Sequence, residues 1–388
     1  MIIVAEVIRY AHNVPCMNVA VIGAGGDIGR GVVDDLKKSG IDVVACDLKE
    51  EAVMDMDADE TAALDVTADD AGERLASLGV DVAVGTAGPF YALGVPALET
   101  AIDAGVDYVD VCDDHDATED ELALSDKAEE RDVSAVVGCG WTPGISNLLV
   151  ADAVDRLVSE GAEVGSVEVD WIGSAADAEG VAVVAHVFHT ASGKVPQYVD
   201  GERVEVRAGS GAEKVDVPGF GDVKTYASGH PESVTLPAST GAKNVRVHGA
   251  LVPGWQNSLV RAVSRAGLVS TRSRKDRMAR YVHAVEGLFE VGGKQESAVR
   301  VRVTDDGEDG DDGEHAVEYA ATGRMRVLTG CAASVGAQRI AGDVDEVEAG
   351  AHPPEEAFEA AGFLNDVGER EVTFHEKVDG DWATKEGF

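Results

Sequence analysis

Three carboxylates and a histidine stand within five residues in "CDDHD" (112–116). Carboxyl groups crowded in this way raise one another's pKa, and the imidazole of His115 stands beside them, so the stretch holds the parts needed to move a proton. Asp113 and Asp114 are the candidates for that work, whereas Asp116 reads as an ordinary acid at a helix N-terminus. Tyr91 in "TAGPFYALG" (86–94) and His230 in "GHPE" (229–232) are two further groups able to meet a reacting nitrogen, although His230 also fits a plain turn histidine.

A second kind of chemistry is written in "VAVIGAGGDIGRGVVDDL" (19–36), four apolar residues followed by a glycine cluster and a helix-like run. A diphosphate needs a strand ending in a sharp turn, a position without Cβ, and a helix N-terminus aimed at the anion. Gly23 can make the turn, Gly25 and Gly26 the close approach, with Asp27 and Ile28 opening the helix. Gly29 falls one residue later than the G-x-G-x-x-G fingerprint asks, yet still on the first helical turn, where a missing side chain lets helix pack on strand. Asp47, twenty-four residues after Gly23, stands where an acid accepts the adenosine ribose hydroxyls of NAD and repels the extra phosphate of NADP. Lys49 works against that preference, so the expected cofactor is NAD, with NADP as the alternative. Asp65 and Val66 in "LDVT" (64–67) are placed to reach the adenine. Thr86, Ala87, Gly88 and Pro89, with Gly140 in "GCGWTPGISNLL" (138–149), are placed beside the nicotinamide.

The elements needed to bring these loops together are legible as a rhythm. Apolar runs at 41–47, 61–66, 80–86, 106–112 and 133–139 join the opening strand and alternate with amphipathic stretches, including helices at 95–105 and 117–132. Six strands of this kind predict a doubly wound α/β Rossmann sheet, whose ligands sit at the carboxyl ends of the strands. From about residue 162 the pattern turns to longer alternating strands, "GSVEVDWIG", "VAVVAHVFHT", "RVEVRAG", "NVRVHGAL" and "SAVRVRVTDD", with helices near 256–267 and 275–290. This predicts an inserted α+β domain with a mixed or antiparallel sheet. The expected organisation is a non-native or disordered extension over 1–16, ahead of a native start at Met17. A dinucleotide-binding domain over 17–150 and a substrate and dimerisation domain over 151–325 follow, and a segment over 326–388 returns toward the first domain.

Asp and Glu total 72 against 32 Lys and Arg, a net charge of −40 that repels nucleic acid and anionic membrane alike. The acids are spread through the chain and lysines number only 12, a pattern suited to a salt-accumulating cytoplasm, where screening removes the self-repulsion. A halophile source and a cytoplasmic location are therefore expected. No apolar run approaches the length of a membrane span, and residues 1–16 lack the basic, apolar and small-residue regions of a secretory signal, so none is expected there. Five cysteines without a C-x-x-C pair read as reduced thiols. The acid run "DDGEDGDDGEH" (305–315) lacks calcium-loop spacing and reads as a solvated hairpin, so no metal is assigned.

"GAGGDIGR", "TAGPFYALGVPALETAIDAGVDYVDVCDD" and "GWTPGISNLLVADAV" together resemble the saccharopine dehydrogenase family, and "SGHPESVTLP" (228–237) and "AGAHPPEEAF" (349–358) agree with it. The resemblance implies an NAD(P)-dependent oxidoreductase acting on a carbon–nitrogen bond of an amino acid or polyamine, in a homodimer. Members that make or cleave saccharopine carry D-P-G where this chain has Thr142, Pro143 and Gly144, and histidine in place of Asn147, so the substrate stays open. A dinucleotide-binding sensor or scaffold without turnover is the alternative, because a fold does not fix a function.

Overall fold

The computed structural model describes residues 17–174, 177, 181–269, 271–286, 295–306 and 315–388. The expected extension over 1–16 and most of the acid run 305–315 lie outside these residues. Strands β1 (Asn18–Ile22), β2 (Asp42–Asp47), β3 (Glu60–Ala63), β4 (Val82–Gly85), β5 (Asp107–Asp110) and β6 (Ser134–Val136) pair in parallel in the order β6-β5-β4-β1-β2-β3. The valines and alanines of β1, β2 and β4 are buried on both faces, as a parallel sheet covered by helices requires. Strand order reverses between β1 and β4, so the loops after them part and leave a crevice at their carboxyl ends. Thr86 ties the two strands there, its amide and hydroxyl both donating to the Ile22 carbonyl at 2.8 and 2.9 Å.

Eight strands follow: β7 (Val164–Ser174), β8 (Lys194–Val199), β9 (Glu202–Arg207), β10 (Glu213–Val217), β11 (Gly221–Ala227), β12 (Asn244–Val252), β13 (Ser297–Asp305) and β14 (Ala316–Gly323). Their sheet is mixed, with β12 parallel to β7 and the other pairings antiparallel. Strand β7 alternates: Val167, Val169 and Trp171 enter the apolar core that also contains β1 and β4, while Glu168 and Asp170 face the other way. Asp170 is fully buried there and accepts hydrogen bonds from Thr225, Arg246 and Arg300 at 3.0, 3.1 and 2.8 Å. After the helix Met325–Ala341, β15 (Gly350–His352) adds to β6 in parallel. Of residues 326–388, expected to return toward the first domain, this helix and β15 lie against the first sheet. By contrast β16 (Thr373–Val378) and β17 (Asp381–Thr384) extend the second, because β14 offers an open antiparallel edge.

Two other expectations are corrected. "VAVVAHVFHT", read as a strand, is the helix Val181–Thr190, since a short apolar run carries no period that separates strand from helix. The single helix expected over 117–132 is two, His115–Leu122 and Ser125–Glu129, meeting at Ala123–Leu124. The four described cysteines, Cys46, Cys112, Cys139 and Cys331, are buried and unpaired.

Beneath the carboxyl end of β5 lies an acid pair that constrains stability. Asp110 is fully buried and accepts from the amides of Gly138 and Cys112 at 2.7 and 3.0 Å, which fixes the start of the next loop. Glu121, also fully buried, leans against it from the helix His115–Leu122. Burial and the neighbouring Asp110 charge push Glu121 well above the usual carboxylate range, and burial raises Asp110 to about 6. An acid whose folded pKa is raised contributes stability below its unfolded pKa and loses it as pH rises toward the folded one. The pair's contribution to stability is therefore expected to fall as pH rises from about 5, Glu121 adding at most about 1.4 kcal/mol per pH unit. Glu121→Gln keeps the shape and can donate to Asp110. Denaturant melts across this pH range should show a flatter profile for the variant, and parallel profiles would mean that Glu121 does not hold a proton in the fold.

Candidate active site

The turn after β1 is built from its backbone. Gly23 has φ +85°, and its amide and that of Ala24 both donate to the Cys46 carbonyl at the end of β2, at 2.9 and 3.0 Å. The helix Asp27–Lys38 starts at Gly26 with no side chain capping it, so its first-turn N–H groups are directed at whatever occupies the crevice. A Cβ on Gly26 would meet only the Gly23 carbonyl oxygen, at 3.3 Å, whereas one on Gly29 would stand 2.4 Å from that oxygen and 2.7 Å from the Ala24 Cα. Gly29 is thus the close-packing glycine of the turn although it falls one residue late. These features fit the diphosphate of a dinucleotide. Asp47 accepts from the Gly25 amide at 3.1 Å. Arg30, a residue the sequence reading passed over, donates to the carbonyls of Gly25 and Ala52 at 3.2 and 3.0 Å, beside the same turn.

A cavity of about 580 Å³ runs from this turn along the sheet edge. Of the residues expected at the cofactor, Gly23, Gly26, Asp27, Ile28, Asp47, Asp65, Val66, Thr86, Ala87, Gly88, Pro89 and Gly140 line it. Gly25 and Gly29 serve the turn from behind. Lys49 is exposed and outside the lining, its place beside Asp47 being taken by Leu48.

At the far end Asp113, Asp114 and His230 line the cavity together with His186, Trp171, Trp141 and Thr142. His186, on the helix Val181–Thr190 that was misread as a strand, reaches across from the second domain. Its Nδ1 lies 3.1 Å from Asp113 and 3.0 Å from Asp114. Burial alone would push His186 down, but the two carboxylates raise it to about 10, so it is a cation. The pair it holds is divided. Asp114, 1 % exposed, also accepts from the Tyr91 amide at 3.3 Å; burial opposes its charge, yet His186 holds it below the ordinary range. Asp113 keeps about a third of its side chain open to the cavity, and enclosure raises its pKa in spite of His186. The same surroundings therefore push the two carboxyls in opposite directions, Asp113 toward holding a proton and Asp114 toward its charge.

His230 is buried against this group, its ring 5.3 Å from that of His186 and 5.1 Å from Trp171. Burial, then the His186 charge, drive its pKa well below the usual value. With Nδ1 donating to the Thr142 carbonyl at 3.3 Å, Nε2 is left as a lone-pair acceptor without a protein partner. Thr142 and Ser146 donate their hydroxyls to Glu232 at 2.5 and 2.7 Å, and Asn147 reaches back to the Gly144 amide at 3.1 Å. Tyr91 lies outside the lining: its ring stacks on His189 at 5.0 Å, since the helix it begins points it at the second domain. His189 in turn meets Asp116 at 3.1 Å and Lys275 at 2.8 Å. The spacing of His186 and His189, one helical turn apart, is the signal that would have found them had the run been read as helix.

Residues 19–136 match the family described as saccharopine dehydrogenase NADP binding domain. Among solved structures the chain is similar to saccharopine dehydrogenase (L-Glu forming) from Saccharomyces cerevisiae, with 14 % identity, 93 % of this chain and 100 % of that one covered, and a TM-score of 0.66. It is also similar, less closely, to an amine dehydrogenase from Mycobacterium smegmatis, with 12 % identity, 90 % and 98 % covered, and a TM-score of 0.47. No curated protein matches the chain. The residues of the first sheet are thus similar to a saccharopine dehydrogenase dinucleotide-binding domain, and the fold along nearly the whole chain is shared with the yeast protein.

Proposed function

We propose that the protein is an NAD(P)-dependent oxidoreductase acting on the carbon–nitrogen bond of an amine or amino acid. The observation that carries this reading is one cavity joining the glycine turn of a dinucleotide domain to a carboxylate pair and an acceptor imidazole. When bound, the nicotinamide supplies the two-electron acceptor or donor. Hydride leaves the carbon beside nitrogen only with the help of the nitrogen lone pair, so an ammonium must first lose a proton. In this reading Asp113, partly open to the cavity, takes that proton, and His230 is the second acceptor lining the same space. Asp114 and His186 act on Asp113 as positioning groups, fixing its carboxylate and keeping one charge beside it. Trp171 and Trp141 close the space around the reacting carbon and exclude water, which strengthens these interactions. Turnover with any amine at all separates this reading from a sensor that only binds the cofactor.

The cofactor end generates two expectations. Gly26→Ala adds a methyl group that faces the cavity and meets little protein. It should keep the wild-type melting temperature and weaken NADPH and NADH binding by about tenfold or more. Gly29→Ala should lower the melting temperature through its contact with backbone. Undiminished binding by Gly26→Ala, read by titration calorimetry, would move the diphosphate elsewhere. The preference between cofactors follows Asp47, whose charge favours NADH. Asp47→Ser should weaken NADH, relieve NADPH and narrow the gap in the same experiment. Tighter NADPH binding by the wild type would assign the ribose pocket to another residue, with Arg30 the next to replace.

Asp113→Asn should leave cofactor affinity intact while lowering kcat/KM for amine oxidation by about two to four orders of magnitude. Oxidation requires Asp113 ionised, so the wild-type rate should rise with pH through a pKa above the ordinary carboxylate range. That limb should be missing in the variant. A wild-type pH profile retained by Asp113→Asn would place the proton on His230.

A further inference from the structure

We propose that the substrate end of the cavity selects amines that carry no carboxylate, diamines and polyamines rather than amino acids, a refinement that rests on the amine reading above. Two acceptors stand at this end: the Asp113 carboxylate, partly open to the cavity, and the buried, unpartnered Nε2 of His230, a residue that lines the same cavity. An acceptor pair is matched by a group rich in N–H, and an ammonium is such a group. Among the described residues, no lysine or arginine lines the cavity. The cation that does, His186, is already engaged by two carboxylates. Lys275 meets His189 beside the cavity, and Arg326 is paired with Asp27 and Asp34. A substrate carboxylate would thus lose its hydration beside Asp113 with no cation to receive it, which costs several kcal/mol.

The remaining wall suits an alkyl chain ending in an ammonium. Trp171 lies across β12, where a Cβ on Gly249 would fall 1.9 Å from its ring, so the indole is seated by the absence of that side chain. Leu251 and Val187 lie with it, and Met325 lines the same cavity. Methylene groups lose water against these side chains, and an indole face attracts a cation.

The test uses a matched pair, 1,5-diaminopentane and lysine, which differ by one carboxylate. Calorimetry is done on the full-length protein saturated with reduced cofactor, in which an amine can bind without being oxidised. Turnover is followed separately with oxidised cofactor. The diamine should bind about a hundredfold more tightly than lysine and show the higher kcat/KM. Lysine binding as tightly as the diamine, or turned over as efficiently, overturns the selectivity and leaves the amine reading standing. Diamine bound selectively but never oxidised by either cofactor supports the selectivity and overturns the oxidoreductase reading. Failure of both compounds to bind, with cofactor binding intact, overturns the selectivity.

Discussion

Two aspartates side by side at the end of a strand repel each other, and the fold answers with a histidine brought from another domain. His186 lies within 3.1 Å of both Asp113 and Asp114, and its positive charge is held by them in turn. Much of the site follows from that contact. It ties the helix Val181–Thr190 to the end of β5, it holds Asp114 below the ordinary carboxylate range, and it adds to the burial that pushes His230 down. Truncating His186 would leave two uncompensated carboxylates in an enclosed space, so the cost of losing it exceeds what the pair gains from having it.

The part of this legible in the sequence is the part set by local rules. A glycine cluster between an apolar run and a helix prescribes the turn, and even the late Gly29 falls where helix meets strand. Asp113 and Asp114 could be named from their crowding alone. Lys49 could not be placed in that way, because two residues beyond a strand end the chain has already turned outward and adjacency no longer gives direction. His186 was hidden for a different reason. "VAVVAHVFHT" suits a buried strand and a buried helix equally, and its choice is made by tertiary contacts that bring His186 to Asp113 and His189 to Asp116.

Charge organises the cavity from its two ends. A helix start without a side-chain cap gives the glycine turn a positive character suited to phosphate, while the opposite end is lined by carboxylates and acceptor nitrogen. The chain holds few cations for its size, and several are committed inside the second sheet, where Arg246 and Arg300 neutralise Glu168 and Asp170. Removing either partner there would strand a charge in a buried place, so those arginines are fixed by structure. The acidity read from composition is therefore present at the site in a specific form: the one cation lining the substrate end, among the described residues, is an imidazolium.

The loop between β6 and the helix Ile145–Ser159 joins these parts, and its hydrogen bonds show why the two domains cannot be separated chemically at residue 150. The Thr142 carbonyl sets the tautomer of His230, and the Thr142 hydroxyl is drawn the other way by Glu232. Asn147 reaches both Thr235 and Glu355, so the helix following the loop is bonded to the second domain and to the segment after β15. Burial raises Glu232, and the two hydroxyls that donate to it oppose that rise, so its charge depends on Thr142 and Ser146 staying where they are. The acceptor face of His230 is thus held by a loop of the first domain, as the carboxylate of Asp113 is held by a helix of the second. Each domain orients a titratable group that the other supplies, and the end of the cavity keeps its arrangement of charge only while both sets of contacts are made.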